Sequence, residues 1–251
     1  MSVSLHTTSW GDGANRRILL LHGIMSSAAG WWRVGSDLAD MGWEVVAVDL
    51  RGHGDSPQPG SYGFSEYVED VLVLGSGWDA VLGYSMGGTI AVLTSTAEPF
   101  WAKGLILQDP TLMLPEQMSE VLGWLLEDYL TETGPERIAE MNPRWHPQDV
   151  AAKVEKSSAE VVTRTVEVNW PWMVLDEASD LGVPAVVLGS DPGSGGILPV
   201  VFGEWLAVSS SVGYEMIPNS SHSAHRDGDQ YKTYLSVLAD ALDRLPTLDG
   251  R

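Results

Sequence analysis

The chain has no cysteine and few basic residues. Without cysteine it has no disulfide framework and no thiol nucleophile. Its 14 lysines and arginines stand against 34 aspartates and glutamates, which gives a formal net charge of −20. This negative field repels nucleic acid and anionic membrane surfaces. We therefore expect neither nucleic acid nor a membrane as a partner.

Long apolar runs are absent as well. No stretch approaches the length of a membrane-spanning helix. The first residues, Met1 to His6, lack the basic start and apolar run of a signal peptide. We expect a soluble cytoplasmic protein. Hydrophobic residues make up 44% of the 251 residues and charged residues 19%, which is typical of a globular chain, and a single α/β domain often reaches this length.

Six short apolar segments have the pattern of buried strands. They are Arg17–Leu21, Glu44–Leu50, Asp79–Tyr84, Lys103–Gln108, Val183–Leu188 and Gly213–Ile217. Helical spacing follows the third, fifth and last of them, in Met86–Ala97, Val200–Val208 and Asp229–Leu245. Strands that alternate with helices predict a mostly parallel sheet covered by helices on both faces.

The region 112–181 breaks this alternation. It contains no clear buried strand, and prolines interrupt it, as in Trp145–Pro147 (W-H-P) and Trp170–Trp172 (W-P-W). We interpret it as a helical cap over the carboxyl edge of the sheet. The cap would be inserted into an α/β core formed by residues 1–111 and 182–251.

A serine flanked by glycines follows the third predicted strand directly. Gly83–Gly87 (G-Y-S-M-G) matches G-x-S-x-G, and a helix-compatible segment comes next. The glycines relieve crowding at a sharp strand-to-helix turn, which lifts the serine hydroxyl clear of the sheet. The amino end of the helix adds positive potential beside the reacting centre. We predict that Ser85 is a nucleophile.

A serine hydroxyl is a poor nucleophile until a base removes its proton. Of six histidines, His222 and His225 follow the last predicted strand, as the chain order serine, acid, histidine requires. We favour His222 because it comes sooner after the strand, and we keep His225 as the alternative base.

Two aspartates stand at strand ends where an acid can orient the imidazole. Asp191 follows the fifth predicted strand in Gly189–Pro192 (G-S-D-P), and Asp109 follows the fourth. We choose Asp191 and keep Asp109 as its rival.

Acyl transfer places negative charge on a carbonyl oxygen, which backbone amides stabilise. The loop after the first strand, Leu21–Ile24 (L-H-G-I), predicts the amide of Ile24 as one donor, and the residue after the nucleophile, Met86, supplies the other. We expect His22 and His53 to have structural roles.

Neither a metal site nor a cofactor site is indicated. His222, His225 and Asp227 lie close in sequence, but there is no H-E-x-x-H motif. The glycine-rich segment Asp191–Gly196 lacks the spacing of a dinucleotide site. We expect no metal, no cofactor and a small-molecule substrate, and the oligomeric state stays open.

Together these segments resemble the α/β-hydrolase superfamily, with Asp49–Ser56 (D-L-R-G-H-G-D-S) as a further marker. The matching segments extend from about residue 15 to residue 225. The resemblance implies an α/β-hydrolase fold: a mostly parallel eight-stranded sheet with one antiparallel strand near its start, and a variable cap. It carries the site roles onto these residues: nucleophile Ser85, acid Asp191, base His222, oxyanion donors Ile24 and Met86.

Two departures from the family pattern concern the acid and the base. Only Ser190 separates Gly189 from Asp191, where two residues are common, and this keeps Asp109 as a candidate acid. Ser221 replaces the glycine that commonly precedes the base, which affects the geometry of the loop.

The sequence therefore predicts a cofactor-free serine hydrolase that cleaves a carboxylic ester or lactone of a small hydrophobic substrate. Six of its tryptophans either pack the core and cap or line an apolar pocket. They are Trp31, Trp32, Trp124, Trp145, Trp170 and Trp172. Alternatives on the same scaffold are hydrolysis of another acyl or carbon–carbon bond, perhydrolase or cofactor-free oxygenase chemistry, and a non-catalytic ligand-binding relative. Epoxide hydrolases and haloalkane dehalogenases need aspartate at the nucleophile position, so Ser85 argues against both.

Overall fold

The structure, a computed structural model, describes residues 1–114, 134–155 and 158–248. Its strands are β1 (Thr7–Trp10), β2 (Arg16–Leu21), β3 (Trp43–Val48), β4 (Ala80–Tyr84), β5 (Leu105–Gln108), β6 (Met113–Leu114), β7 (Trp172–Met173), β8 (Ala185–Ser190) and β9 (Val212–Ile217). Seven of them form one sheet in the order β1-β3-β2-β4-β5-β8-β9, while β6 and β7 form a separate antiparallel pair.

The large sheet is parallel except for its edge strand β1, which pairs antiparallel with β3. Strand β4 lies between β2 and β5, with Leu21 opposite Gly83 and Tyr84 opposite Gln108. Because these strands are parallel, their carboxyl ends meet at one edge of the sheet. Ser85 and Asp109 come directly after β4 and β5, so both lie at that edge.

The described helices cover the two faces of this sheet and fill the segment between β5 and β8. They are α1 (Trp32–Asp40), α2 (Phe64–Val73), α3 (Met86–Ala97), α4 (Pro135–Met141), α5 (Pro147–Glu155), α6 (Ala159–Asn169), α7 (Leu175–Ser179), α8 (Val200–Ser209) and α9 (Tyr231–Leu248).

Residues on either face of β2 belong to different hydrophobic clusters. Leu19 and Leu21 pack in the cluster with residues of α2, α3 and α8, whereas Ile18 and Leu20 pack with residues of α1 and α9. Alternate residues of a strand point to opposite faces. Both faces of this sheet are covered, and this explains why all of its strands except the edge strand β1 are short apolar runs.

The predicted fold class is confirmed, and the strand count is corrected from eight to seven for the described residues. The segment before β1 does not add a strand, because its amides donate to side chains. The amide of Val3 donates to Asp70 at 2.6 Å, and that of His6 donates to Ser56 Oγ at 2.8 Å. The antiparallel strand near the start is present as β1.

The chain leaves the large sheet after β5 and returns at β8, which pairs directly with β5. The described part of 112–181 between these strands consists of α4 to α7 and the β6–β7 pair. The division into a core and a cap stays a prediction, and its residues 115–133 and 156–157 lie outside the described residues. In the described ranges, no helix combines the length and apolar character needed to span a membrane.

Candidate active site

Ser85 occupies a strained turn between β4 and α3. Its backbone has φ 54° and ψ −119°, a conformation that residues other than glycine adopt only at a free-energy cost. Its amide donates to the carbonyl of Gln108 at 3.1 Å. A Cβ on Gly87 would lie 2.2 Å from the carbonyl oxygen of Leu21, so glycine is required where α3 passes β2. The turn predicted from G-x-S-x-G is present at this position.

His222 connects the serine to a carboxylate. Its Nε2 lies 3.1 Å from Ser85 Oγ, and its Nδ1 lies 2.7 Å from Asp109 Oδ2. With the proton on Nδ1, the ring donates to Asp109 and its Nε2 accepts from the serine hydroxyl. The His222 side chain is 27% exposed and Asp109 is fully buried. The structure therefore brings together a hydroxyl, an imidazole and a carboxylate in hydrogen-bonding sequence.

Asp109 is held in place by backbone amides from a distant loop. Ile197 and Leu198 each donate an amide hydrogen to its carboxylate at 3.0 Å. Its own amide donates to Leu188 on the neighbouring strand at 2.8 Å, and its φ of 38° marks a sharp turn at the end of β5. Two backbone amides and the imidazole N–H are bonded to this buried carboxylate and hold it in a fixed orientation.

Asp191 does not reach His222, and the preference for it as the acid is corrected in favour of Asp109. Its Oδ1 accepts from the amide of Gly193 at 2.8 Å, and its Oδ2 accepts from the amide of Asn219 at 2.9 Å. Asp191 thus caps a short 3₁₀ turn and ties it to the loop that leads to His222. Both carboxylate oxygens of Asp191 therefore bond to backbone amides rather than to His222.

His225, the alternative base, lies behind the site. Its Nδ1 is 2.9 Å from Gln108 Nε2, and Arg226 Nε donates to its Nε2 at 3.2 Å. The ring stacks on Trp31 with centroids 4.5 Å apart. Burial, together with the charge of Arg226, lowers the pKa of His225 well below its usual range. A neutral, fully packed imidazole fits a structural role.

The loop after β2 lies against Ser85. A Cβ on Gly23 would lie 2.9 Å from the Cβ of Ser85. The ring of His22 fixes this loop, because Leu50 N donates to its Nε2 at 3.0 Å and its Nδ1 then donates to Gly23 O at 2.8 Å. Burial lowers the pKa of His22 well below its usual range, which keeps the ring neutral for both bonds. The structural role predicted for His22 is confirmed.

The predicted oxyanion donors, Ile24 and Met86, both line the cavity beside Ser85. Met86 is the first residue of α3, where amides have no partner within the helix. Their placement is compatible with two amides converging on a carbonyl oxygen at Ser85, and the donor role itself stays a prediction.

Two residues beside Ser85 and His222 were not predicted to contribute to the site. Thr111 Oγ1 lies 3.2 Å from Ser85 Oγ. Asp227 accepts from the amide and hydroxyl of Ser221 at 2.6 and 2.8 Å and braces the loop before His222. Asp227 is therefore a loop-bracing residue. The sequence gives no local indication of either role, because Thr111 belongs to no motif and Asp227 resembles any aspartate in a turn.

One cluster outside this site has the composition of a metal site. Ligand atoms of His6, Asp49 and Asp55 lie within 4.8 Å of one another. The Asp49 carboxylate already accepts from the amides of Ala28 at 2.7 Å and Asp55 at 3.0 Å, and from His6. These bonds brace the loop that follows β3, and they account for the cluster without an ion.

A cavity of about 560 Å³ opens above Ser85. Its lining is mostly apolar and includes Trp145 and Trp172, as predicted for some of the tryptophans. Trp31 is instead buried behind the site, and Trp32 donates to Asp149 at 3.1 Å. Trp170 lies next to the cis peptide bond that precedes Pro171. Trp124 lies outside the described residues.

The histidine of the D-L-R-G-H-G-D-S segment gives a prediction about acid stability. His53 is buried, its Nδ1 lies 2.9 Å from Arg51 O, and burial lowers its pKa to about 4. The unfolded chain, with a pKa near 6.5, binds a proton more readily. The neutral His53 therefore leaves the free energy of unfolding undiminished above about pH 6.5. As the pH falls towards 4, protonation of the unfolded chain lowers this free energy by about 3 kcal/mol.

Urea unfolding between pH 4.5 and 8 measures this loss. In His53→Asn, whose amide can keep the bond to Arg51 O, we expect a shallower decrease of the free energy of unfolding with falling pH. Parallel curves for the two proteins would contradict the prediction.

Comparison with known proteins places the chain in a family. Residues 16–162 match the model of the alpha/beta hydrolase fold family, which is more than half of the chain. The chain belongs to the alpha/beta hydrolase fold family. The match agrees with the order of strands in the large sheet.

Individual relatives match in part. Lipase LipV of Mycobacterium tuberculosis is 31% identical over 137 residues, which cover 52% of this chain and 52% of the lipase. A serine hydrolase-like protein of Danio rerio is 32% identical over 119 residues, 45% of this chain and 36% of that protein. The chain thus spans about half or less of these curated relatives. An esterase from Exiguobacterium antarcticum has the same fold, with a TM-score of 0.78 at 17% identity and 95% coverage of both chains.

Proposed function

We propose that this protein is a serine hydrolase that cleaves carboxylic esters or lactones through an acyl-enzyme. The observation that carries the proposal is the hydrogen-bonded sequence of Ser85 Oγ, His222 and Asp109 at the base of an apolar cavity. Partial similarity to a lipase supports ester bonds as the target. The proposed reaction uses side chains, backbone amides and water.

In the first half of the reaction, Ser85 Oγ attacks the carbonyl carbon while His222 Nε2 takes the hydroxyl proton. The carbonyl oxygen becomes negative and accepts hydrogen bonds from the amides of Ile24 and Met86. His222, now charged, is stabilised by Asp109 and passes its proton to the departing alcohol oxygen. The carbon–oxygen bond breaks, and the acyl group stays on Ser85.

In the second half, water takes the place of the alcohol. His222 removes a proton from the water, which attacks the acyl carbon and forms a second tetrahedral oxyanion. The proton on His222 then returns to Ser85 Oγ as the carboxylic acid leaves. A lactone follows the same steps, and its leaving hydroxyl remains attached to the acid product.

The size of the cavity supports a small substrate. A volume of about 560 Å³ lies within the range of small-molecule sites, and a mostly apolar lining favours an acyl or alcohol group with a hydrocarbon body. A panel of short p-nitrophenyl esters and of five- to seven-membered lactones would separate ester from lactone preference.

Labelling with a fluorophosphonate tests the nucleophile directly. We expect the probe to add its mass to the peptide that contains Ser85, because an activated serine displaces the fluoride while other serines do not react. Mass spectrometry of the digested protein identifies the labelled residue.

A matched serine variant controls for the fold. Ser95 lies further along α3, is 4% exposed and does not belong to the described lining of the cavity. Ser95→Ala should take up the label as the native chain does, whereas Ser85→Ala should take up none. Labelling of a different residue in the native chain would overturn the assignment of Ser85.

A further inference from the structure

Thr111 places a second hydroxyl beside Ser85. Its Oγ1 lies 3.2 Å from Ser85 Oγ, and the side chain is buried and belongs to the described lining of the cavity. The imidazole nitrogen His222 Nε2 lies 3.1 Å from the same serine oxygen. Ser85 Oγ therefore has two polar neighbours at hydrogen-bonding distance, an imidazole and a hydroxyl.

The backbone of Thr111 is tied to the turn that carries Ser85. Its amide donates to the carbonyl of Ser85 at 3.2 Å, and its carbonyl accepts from Thr89 Oγ1 at 2.6 Å. Thr89 is a buried residue of α3, and Trp172 Nε1 donates to its hydroxyl at 3.2 Å. A β-branched side chain on a fixed backbone has few rotamers, so Thr111 Oγ1 is held in place beside Ser85 Oγ.

The direction of the hydrogen bond between the two hydroxyls follows from the single proton on Ser85 Oγ. When Ser85 donates this proton to His222 Nε2, its oxygen can only accept from Thr111. The Thr111 hydroxyl is then the donor. The arrangement that makes His222 a base thus also makes Thr111 a hydrogen-bond donor to the reacting oxygen.

Loss of the serine proton strengthens this bond. During the attack the O–H bond of Ser85 breaks, its proton moves to His222 Nε2, and an electron pair of Oγ forms the bond to the carbonyl carbon. Negative charge develops on Oγ before that bond is complete, and a hydroxyl donates more strongly to a charged oxygen than to a neutral one. An interaction that strengthens towards the transition state lowers the barrier. Thr111 keeps its own proton throughout.

The same bond acts when Ser85 leaves the acyl group. In the second half of the reaction the bond between the acyl carbon and Ser85 Oγ breaks, and the oxygen keeps the electron pair while a proton arrives from His222. The Thr111 hydroxyl again faces an oxygen on which negative charge develops. Both halves of the proposed reaction therefore gain from one fixed donor.

We propose that Thr111 is a further catalytic residue, whose hydroxyl donates to Ser85 Oγ and stabilises the negative charge on this oxygen as it attacks and as it departs. This inference rests on the proposed serine hydrolase function and adds a residue to its site. Its role differs from the one proposed for the amides of Ile24 and Met86, which act on the carbonyl oxygen of the substrate.

The rate of fluorophosphonate labelling tests the hydroxyl of Thr111. Thr111→Val keeps the branched shape of the side chain and lacks the hydroxyl. We expect the second-order rate constant for labelling of Ser85 to fall by about tenfold, while the fraction of protein labelled at completion is unchanged. Thr111→Ser keeps a hydroxyl on the same carbon and should retain most of the native rate.

A second buried threonine provides the matched control. Thr94 also belongs to α3, lies outside the described lining of the cavity, and donates its hydroxyl to the carbonyl of Ile90 at 2.7 Å. Thr94→Val removes a buried hydroxyl by the same substitution, and it should be labelled at the native rate.

Steady-state hydrolysis of a short p-nitrophenyl ester distinguishes a catalytic hydroxyl from a packing role. Because the bond acts in both halves of the reaction, Thr111→Val should lower kcat by about tenfold and leave KM within about twofold. A threonine that only packs the cavity wall would affect KM, and valine would replace it at least as well as serine.

The outcomes separate this inference from the function on which it rests. Labelling of Thr111→Val at the native rate would overturn the role of Thr111 and leave the esterase proposal intact, as would an equal loss in Thr111→Val and Thr111→Ser. Failure of the native chain to be labelled at Ser85 would overturn both proposals. If Thr111→Val does not fold, Thr111→Ala removes the hydroxyl with a smaller side chain. Its labelling should then be about tenfold slower than that of Thr111→Ser, and equal rates would overturn the inference.

Discussion

Replacement of Ser85 by alanine is expected to lower kcat for a short p-nitrophenyl ester by about 10⁴-fold or more. The covalent step requires the hydroxyl oxygen, and no other described hydroxyl occupies its position 3.1 Å from His222 Nε2. Thr111 Oγ1 lies 3.2 Å from Ser85 Oγ but is bonded to that oxygen rather than to the imidazole. Steady-state turnover at pH 8, corrected for the spontaneous hydrolysis, measures the loss.

The variant should remain folded, since alanine differs from serine only by the hydroxyl. Thermal unfolding should give a midpoint close to that of the native chain, and KM for residual turnover should change much less than kcat. Turnover within tenfold of the native value would rule out the acyl-enzyme at Ser85. A loss of activity accompanied by loss of the folded state would instead be resolved with Ser85→Cys, which keeps a nucleophile at the same turn.

The strands of the large sheet could be predicted because helices cover both of its faces. Six of its seven strands are short apolar runs, which the sequence displays without any knowledge of their partners. The seventh, β1, has the sequence T-T-S-W and alternates between exposed and half-buried positions. An edge strand with one neighbour does not need an apolar pattern, so β1 could be inferred only from the family resemblance.

Ser85 and His222 were predictable for different reasons. The serine turn is local, since glycines on both sides and the flanking strand and helix specify it within a few residues. His222 could be chosen because few histidines follow the last strand. Its distance from Ser85 depends on parallel strands that end at one edge, and parallel pairing follows from the alternation of strands and helices.

The acid could not be decided from the sequence, because Asp109 and Asp191 both follow parallel strands that end at this edge. Their partners in the structure distinguish them: Asp109 lies 2.7 Å from His222 Nδ1, whereas both oxygens of Asp191 accept backbone amides. The amides that hold Asp109 come from residues 197 and 198, nearly ninety positions along the chain. Long-range contacts of this kind leave no local pattern.

The two basic residues in the described cavity lining, Lys153 and Arg226, could not be predicted for the same reason. Lys153 belongs to a helix that shows ordinary polar spacing, and Arg226 follows a histidine-containing loop like many surface residues. Only the packing of α5 against the loop after β2 turns the lysine inward. The sequence therefore predicted an apolar pocket and did not indicate the two basic side chains in its described lining.

The comparison of Asp109→Asn with Asp191→Asn has the second largest expected effect. In Asp109→Asn we expect kcat to fall by about 10⁴-fold with little change in KM. Asparagine cannot accept the Nδ1–H bond with full charge, and its amide hydrogens favour the imidazole tautomer with the proton on Nε2. That tautomer has no lone pair directed at Ser85 Oγ and cannot remove its proton.

Asp191→Asn should instead change stability more than turnover. Both oxygens of Asp191 accept backbone amides, and an asparagine can keep only one of these bonds while its own amide group faces the other N–H. We expect a loss of about 1–2 kcal/mol in the free energy of unfolding and less than about a tenfold decrease in kcat. Since each variant removes one negative charge, a general electrostatic effect would lower turnover equally in both. The reverse ranking, with the larger kcat loss at Asp191, would mean that the loop after β8 rearranges around His222 during catalysis and that the carboxylate 2.7 Å from Nδ1 does not orient the base.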